Sequence, residues 1–464
     1  MSNCMGICYL YARSQVLARN RGTPGFLPPA GKLLHHHAAG GRSKPQERVS
    51  VNVQKTVQTR APGYIGEHTC GSAPWSSASQ TCVIMASTLP EVSIVIKALN
   101  EERHIGGTIE SALAALAFAR LDGEVILADS ASSDRTVEIA ARYPITIVRL
   151  NRIADRSCGT GVQLGYQYCR GRFVCLIDGD MQLYPGFLPH ALGFLKDHPE
   201  YAGVGGTVIE REAANLEYIK RAGAKDVDRV PGVVDQLDCG GLYRREAIDA
   251  LGYFGDRNLH SREELELGVR LRVRGWKLAR VDVPAVDHYG HSGNAYALLL
   301  YRWKTKLAFG SAEVLRATIG RDTFCPALRK MRHELLLLSA VHVWWLTVLG
   351  IAFVMATPVR GVFALMSLPL LVLLPFVVMG LKSRSLRIGL YSVAAWNVYA
   401  AGIWPGLFSR RVDPRNWIES TIIQTANIAE TKRPPLVSSE ETRVSSDNIY
   451  RQKGGRLVSS TPFG

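Results

Sequence analysis

The sequence predicts an α/β fold with a mostly parallel sheet, followed by membrane-spanning helices. Three observations carry this. Short apolar strands alternate with helical patterns between residues 92 and 178. Three of those strands end in carboxylates or amides. From residue 335 onward the chain carries three long apolar segments.

The elements follow in order. Val92 to Ile96 is an apolar strand that ends at Ala98-Leu99-Asn100-Glu101-Glu102. Ile105, Ile109, Leu113, Leu116 and Ala117 then recur on one helical face. Glu124 to Ala128 is a second strand, ending at Asp129, and Ser133 or Asp134 can cap the helix after it. A third strand, Ile145 to Val148, precedes Asn151. The Gly-rich stretch from Cys158 to Gly171 leads to Phe173-Val174-Cys175-Leu176-Ile177, a buried strand by composition. Asp178-Gly179-Asp180 closes it. Ligands bind beyond the carboxyl ends of strands in such sheets, and two carboxylates there can hold a hard divalent cation together with substrate phosphates. Taken alone, the triplet also fits a strand ending in a polar turn. Gly179 is read as the residue that lets the backbone turn and leaves room for a ligand. Three acidic strand ends on one sheet edge favour a site for a nucleotide and a metal.

The ordered set ALNEE, ADSASSDRT, LIDGDM, CGGLYRREAI and REELELGVRLRVRGWK resembles the motifs of family 2 inverting glycosyltransferases with the GT-A fold. That fold is a nucleotide-diphospho-sugar transferase-like, Rossmann-like mixed sheet, and the resemblance covers residues 90–310. It implies that Asn100, Glu101, Glu102 and Asp129 lie at the nucleotide base and ribose. Asp178 and Asp180 become the DxD pair that holds Mg2+ or Mn2+ on the donor diphosphate. Glu264 falls at the expected general base, with Glu263 as the alternative. Gly240, Gly241 and Arg244 would line the sugar and acceptor region. The family often takes a further metal ligand from a histidine near His288 and His291, and a hydrogen-bonded loop histidine is the other reading of each.

The chemistry fits these residue types. A divalent cation neutralises charge developing on a diphosphate leaving group. An acceptor hydroxyl is a poor nucleophile until a carboxylate takes its proton. Acids at Glu263, Glu264 and Glu266 also suit a helix N-terminus for purely electrostatic reasons. Several positions depart from the family pattern: Ser130 follows Asp129 where a second Asp is common, Glu263-Glu264 replaces Glu-Asp, and Val162-Gln163 stand where Arg-Asn is usual. Arg302-Trp303 resembles the end of the Gln-x-x-Arg-Trp motif of processive members, but Leu299 occupies the Gln place. The Tyr301-Arg302-Trp303-Lys304 cluster reads as an acceptor or phosphate contact, or as an interfacial belt.

Leu335 to Thr357, Gly361 to Leu381 and Ile388 to Phe408 each exceed the roughly 18 residues of a spanning segment, the third being least apolar. Arg329, Lys330 and Arg332 before the first span put the catalytic domain in the cytoplasm by the positive-inside rule. Arg410, Arg411 and Arg415 after the third then conflict with that rule, so the third segment is either re-entrant or overruled by the first.

The expected organisation is an extension over 1–84, disordered or preceding the true start at Met85; a catalytic domain over 90–310; a basic amphipathic linker over 311–334; two to three spans over 335–408; and a polar tail over 409–464, disordered from about Thr431. The net charge of +15 accords with basic residues flanking spans near anionic membrane lipids; no nucleic-acid motif accompanies it. The nine cysteines form no CxxC pair, so a zinc site or disulfide framework is not expected. The resulting expectation is a multi-pass membrane enzyme moving sugar from a nucleotide-sugar donor to a lipid-linked or surface-glycan acceptor. Transfer to polyprenyl phosphate is the alternative within the class. A nucleotidyltransferase and a non-catalytic scaffold subunit are the alternatives outside it.

Overall fold

The computed structural model describes residues 89–211, 216, 230–290, 293–356 and 362–426. The readings for residues 1–84, for Met85, for the tail from Thr431 and for His291 lie outside these.

Strand β1 (Val92–Ala98) is buried along its whole length, as a strand covered on both faces should be. Parallel neighbours flank it: β2 (Gly123–Asp129) on one side and β4 (Phe173–Asp178) on the other, with β3 (Thr146–Leu150) beyond β2. Helix α1 (Ile105–Ala119) buries Ile105, Ile109, Ala112 and Leu116, the face expected from periodicity. Short α2 (Thr136–Ala140) follows β2, and Asp134 rather than Ser133 accepts from the Thr136 N–H, at 3.0 Å.

The Gly-rich stretch is a helix, α3 (Cys158–Tyr166), with all nine residues buried. Ser157 caps it by accepting from the Thr160 N–H at 2.8 Å. Its glycines are needed for close approach, since a Cβ on Gly165 would collide with Val95 of β1.

The other half of the sheet departs from the mostly parallel expectation. The full order is β10 (Ser420–Gln424), β3, β2, β1, β4, β8 (Gly241–Arg244), β6 (Tyr201–Glu210), β9 (Lys277–His288) and β5 (Met181–Leu183), with β7 (Gly232–Val234) paired to β9. Strand β8 (Gly241–Arg244) runs antiparallel to β4 and to β6 (Tyr201–Glu210). Strand β9 (Lys277–His288) pairs parallel with β6 and antiparallel with β5 (Met181–Leu183). Helices α4 (Phe187–Asp197), α5 (Arg245–Asp249) and α6 (Glu263–Val273) complete the catalytic layers.

The segment expected as a linker is helical and packed. After α7 (Ala295–Lys304), α8 (Gly310–Thr318) buries Ala312, Val314 and Ala317. Helix α9 (Phe324–Ala356) continues from there, followed by α10 (Val362–Ser383) and α11 (Leu386–Phe408). Among the described residues one helix, Phe324–Met355, is long and apolar enough to cross a membrane, where two or three spans were expected. Helix α11 packs instead against the catalytic side: a side chain on Gly406 would come within 2.7 Å of Ala312 Cβ and 2.8 Å of the Phe309 carbonyl.

The chain then returns to the sheet. Arg411 pairs with buried Asp256 at 3.2 Å, Val412 and Asn258 bond reciprocally, and the Ile418 N–H donates to Gln167 at 2.8 Å. Strand β10 (Ser420–Gln424) adds antiparallel to β3 and covers that edge. The first part of the supposed polar tail is thus a strand of the catalytic sheet.

Candidate active site

The ends of β1 and β4 lie side by side, with Lys97 in register with Asp178. Lys97 is fully buried. Its ammonium lies 3.2 Å from Asp178 Oδ1, 2.7 Å from Glu263 Oε1 and 3.7 Å from Glu264 Oε1. Burial alone would lower the lysine pKa, but Asp178 and its neighbouring acids outweigh burial and hold it well above the ordinary value. Glu264 Oε1 also accepts from Cys239 Sγ at 3.3 Å. Burial and adjacent Glu263 push the Glu264 carboxyl up to about 8, while Lys97 opposes them. Burial also raises the Cys239 thiol, which keeps it a donor.

Glu263 and Glu264 reach this cluster because α6 starts there, after Arg262 turns the chain with φ 66°. Glu266, one turn on, faces elsewhere: it is paired with Arg270 at 2.8 Å, and Arg270 in turn donates to the Tyr253 and Phe254 carbonyls. Its role is structural.

Asp180 faces a different partner. Its Oδ2 lies 3.5 Å from Nε2 of buried His288, whose Nδ1 bonds Glu210 Oε2 at 2.5 Å. The parallel register puts Glu210 opposite His288, and the β5–β9 pairing brings His288 beside Met181, next to Asp180. Burial lowers the imidazole pKa, but the bonds to Asp180 and Glu210 prevail and raise it to about 9. A carboxylate on Nδ1 that aims Nε2 at an acid is the usual second-layer support of a metal-binding histidine. Among the described residues no three His, Cys, Asp or Glu side chains gather closely enough to hold a metal by themselves. Two protein donors, the rest coming from phosphate oxygens and water, fit Mg2+ or Mn2+ bound with a substrate diphosphate.

The loop residues expected at the nucleotide hold one another. Asn100, at φ 58°, accepts from the Ser133 N–H at 2.8 Å, and the Glu102 carboxylate accepts from the Arg135 N–H at 3.2 Å. Asp129 is fully buried, accepts from the Ser132 N–H and lies 3.5 Å from Arg149; burial raises its pKa. Glu101 borders the DxD acids: burial and Asp180 push its carboxyl up to about 7. Gly179 has an ordinary φ, and a Cβ there would lie 2.8 Å from Glu101 Cγ, so its small size makes room for Glu101 rather than for a ligand.

In the expected acceptor region, Gly240 (φ 96°) sits at the site end of β8, its N–H donating to Leu176 O at 2.6 Å, and Gly241 follows in register with Leu176. Arg244 is a correction. It lies at the opposite end of β8, beside Phe173, and donates to the Leu195 carbonyl at 2.6 Å, so it braces α4. Arg302 is buried in α7 and donates to Tyr399 of α11 at 2.9 Å. Trp303 stacks edge-on against Phe309 and lines an apolar cavity with His342, Trp345 and Trp404. Both brace the helical segment.

Sequence reasoning missed Lys97, Cys239 and Glu210. Lys97 had a signal, a charge inside an otherwise apolar strand. Glu210 had none, since only the β6–β9 register brings it to His288.

Residues 93–252 match the model of the family described as Glycosyl transferase family 2. The chain carries a family 2 glycosyltransferase domain. Curated relatives agree in class. An undecaprenyl-phosphate 4-deoxy-4-formamido-L-arabinose transferase of Pectobacterium carotovorum is 28% identical over 207 residues, 40% of this chain and 61% of the relative. A dodecaprenyl-phosphate galacturonate synthase of Rhizobium johnstonii is 31% identical over 112 residues, 23% of this chain and 32% of that one. The chain therefore spans between about a third and three fifths of these relatives. Among solved structures, a mannosyltransferase from Pyrobaculum calidifontis in complex with GDP-Man and Mn2+ is 17% identical with a TM-score of 0.46, covering 69% of this chain and 88% of that one. The mixed sheet and the family match together make the fold GT-A-like.

Proposed function

We propose that the chain is a membrane-associated inverting glycosyltransferase that moves a sugar from a nucleoside diphosphate donor to a lipid-linked or surface-glycan acceptor, with Glu264 as general base. The observation that carries this is Glu264 itself. It stands at a helix start beside the DxD strand end, buried, with a carboxyl shifted up to about 8. That value is well matched to accepting a proton near neutral pH. Asp180 and His288 would hold Mg2+ or Mn2+, which when bound would neutralise charge on the departing diphosphate. Asp178, tied to Lys97, orients the donor side of the cluster.

A second reading is favoured by the names of the relatives, two of which act on polyprenyl phosphates. A phosphate monoester oxygen is already anionic near neutral pH, so that acceptor needs no base. The two readings separate on one experiment. Membranes containing the chain are offered a panel of UDP- and GDP-sugars with either polyprenyl phosphate or a lipid-linked sugar. Transfer to the sugar hydroxyl that collapses in Glu264→Gln supports the first reading. Transfer to polyprenyl phosphate that survives Glu264→Gln supports the second. No transfer from any donor refutes both.

The membrane arrangement we propose rests on β10. Because β10 pairs with β3, the chain returns to the catalytic sheet after the helical segment; this favours an even number of bilayer crossings, with a second crossing beside Phe324–Met355. Arg410, Arg411 and Arg415 then share a side with Arg329, Lys330 and Arg332, and the conflict with the positive-inside rule disappears. On this reading the side is cytoplasmic, where nucleotide sugars are made. Cysteine labelling in intact spheroplasts that reaches residues 409–426 but not 90–310 would overturn the parity.

A further inference from the structure

Lys97 is the last residue but one of a strand buried throughout, and its side chain has no exposed surface. An unpaired ammonium would not stay charged there. Lys97 does, because carboxylates from two other elements converge on it at graded distances: 2.7 Å for Glu263, 3.2 Å for Asp178 and 3.7 Å for Glu264. The grading falls between two chemically identical neighbours. The Glu263 side chain is 2% exposed and the Glu264 side chain 10%. We propose that Lys97 is a positioning residue that sorts the two glutamates, tying Glu263 down as a fixed counter-ion and leaving Glu264 as the carboxylate that faces the acceptor.

The physical case is one of geometry. Consecutive residues on a helix point about 100° apart, so Glu263 and Glu264 reach the buried cation from different directions, and here they reach it to different depths, 2.7 Å and 3.7 Å. Whichever it meets directly is held. The other has a weak thiol donor, Cys239 at 3.3 Å, its own backbone N–H and a more distant cation. The titratable groups around Glu264 are thus Lys97 on β1, Asp178 on β4, Glu263 beside it, and Cys239 and Tyr243 at and before β8. Of these, Lys97 alone is cationic. The base role assigned to Glu264 rests on the proposed function; the order of pairing does not.

The test compares thermal unfolding midpoints of the purified full chain in detergent for Lys97→Met, alone and combined with Glu263→Gln or with Glu264→Gln. Lys97→Met removes the cation shared by three buried acids and should lower the midpoint by about 5 °C or more. Adding Glu263→Gln should recover at least half of that loss, and adding Glu264→Gln clearly less. If Lys97→Met alone does not fold, the two double variants are compared directly, with the Glu263→Gln combination expected to be the more stable. Equal recovery, or greater recovery from Glu264→Gln, overturns the sorting. Turnover supplies a readout that a purely structural lysine would not move. On the best donor of a UDP- and GDP-sugar panel, Lys97→Met/Glu263→Gln should keep donor KM within about threefold yet lose kcat about tenfold or more. Recovery of kcat along with the midpoint would make Lys97 structural only. A wild-type chain that turns over no donor refutes the proposed function, and the midpoints still decide the sorting.

Discussion

The two acids of Asp178-Gly179-Asp180 are two residues apart and face opposite solutions to the same problem. Asp178 meets a lysine and Asp180 meets a histidine. The lysine is a permanent charge, held above its ordinary pKa by the acids it binds. The imidazole is conditional: it can give up its proton and offer Nε2 to a metal, with Glu210 keeping the ring in place. On the proposed function, one side of the triplet would serve acid–base work with its counter-ion built in. The other would receive a cation that arrives with the substrate.

The sharpest way to break this division is at the acid–base side. Glu264→Gln keeps shape but cannot accept a proton, and transfer to a hydroxyl should fall about 100- to 10,000-fold with donor KM little changed. Steady-state kinetics on the donor panel measure it. Glu263→Gln should cost less; if it is the inactive variant and Glu264→Gln is not, the roles are exchanged.

On the metal side, Asp180→Asn should abolish metal-dependent transfer and weaken Mn2+ binding by at least an order of magnitude, while Glu210→Gln should weaken it about 10- to 100-fold. Titration with Mn2+ in the presence of UDP or GDP, read by electron paramagnetic resonance, tests both without turnover. Equal loss of Mn2+ affinity in Lys97→Met would erase the distinction between the two sides.

The pH profile sharpens it further. Glu264 is protonated below its raised pKa and ionised above it. A base must be ionised, so kcat/KM should climb about tenfold per pH unit below about 8 and level off above. A flat profile from pH 6 to 9 would remove Glu264 from proton transfer. The smallest expected effect on chemistry is at Glu266. Glu266→Gln leaves Arg270 without its buried partner and should cost about 3–5 kcal/mol of stability, seen in denaturant unfolding, with turnover per folded molecule close to normal.

The sequence by itself determined the parallel half of the domain. The apolar runs at Val92–Ala98, Gly123–Asp129 and Phe173–Asp178 and the helical face of Ile105–Ala119 are local patterns, set by the periods of strand and helix. Their acidic ends could be read as a site because parallel strands all open on the same edge. The antiparallel half was decided by tertiary structure. Glu210 and His288 lie far apart in sequence and meet through the β6–β9 register, and Arg244 was misread because nothing local says at which end of β8 it stands. Helix α11 has an apolar composition that reads equally as a span or as a helix packed on protein, and its close approach to Phe309 and Ala312 at Gly406 came only with the tertiary structure. Strand β10, a short polar-flanked run, gained its identity from the open edge of β3. Lys97 joins the two kinds of information. Its charge in an apolar strand was visible in the sequence, but which glutamate it would hold depended on how helix α6 was set against the sheet, a matter of ångströms that only packing fixes.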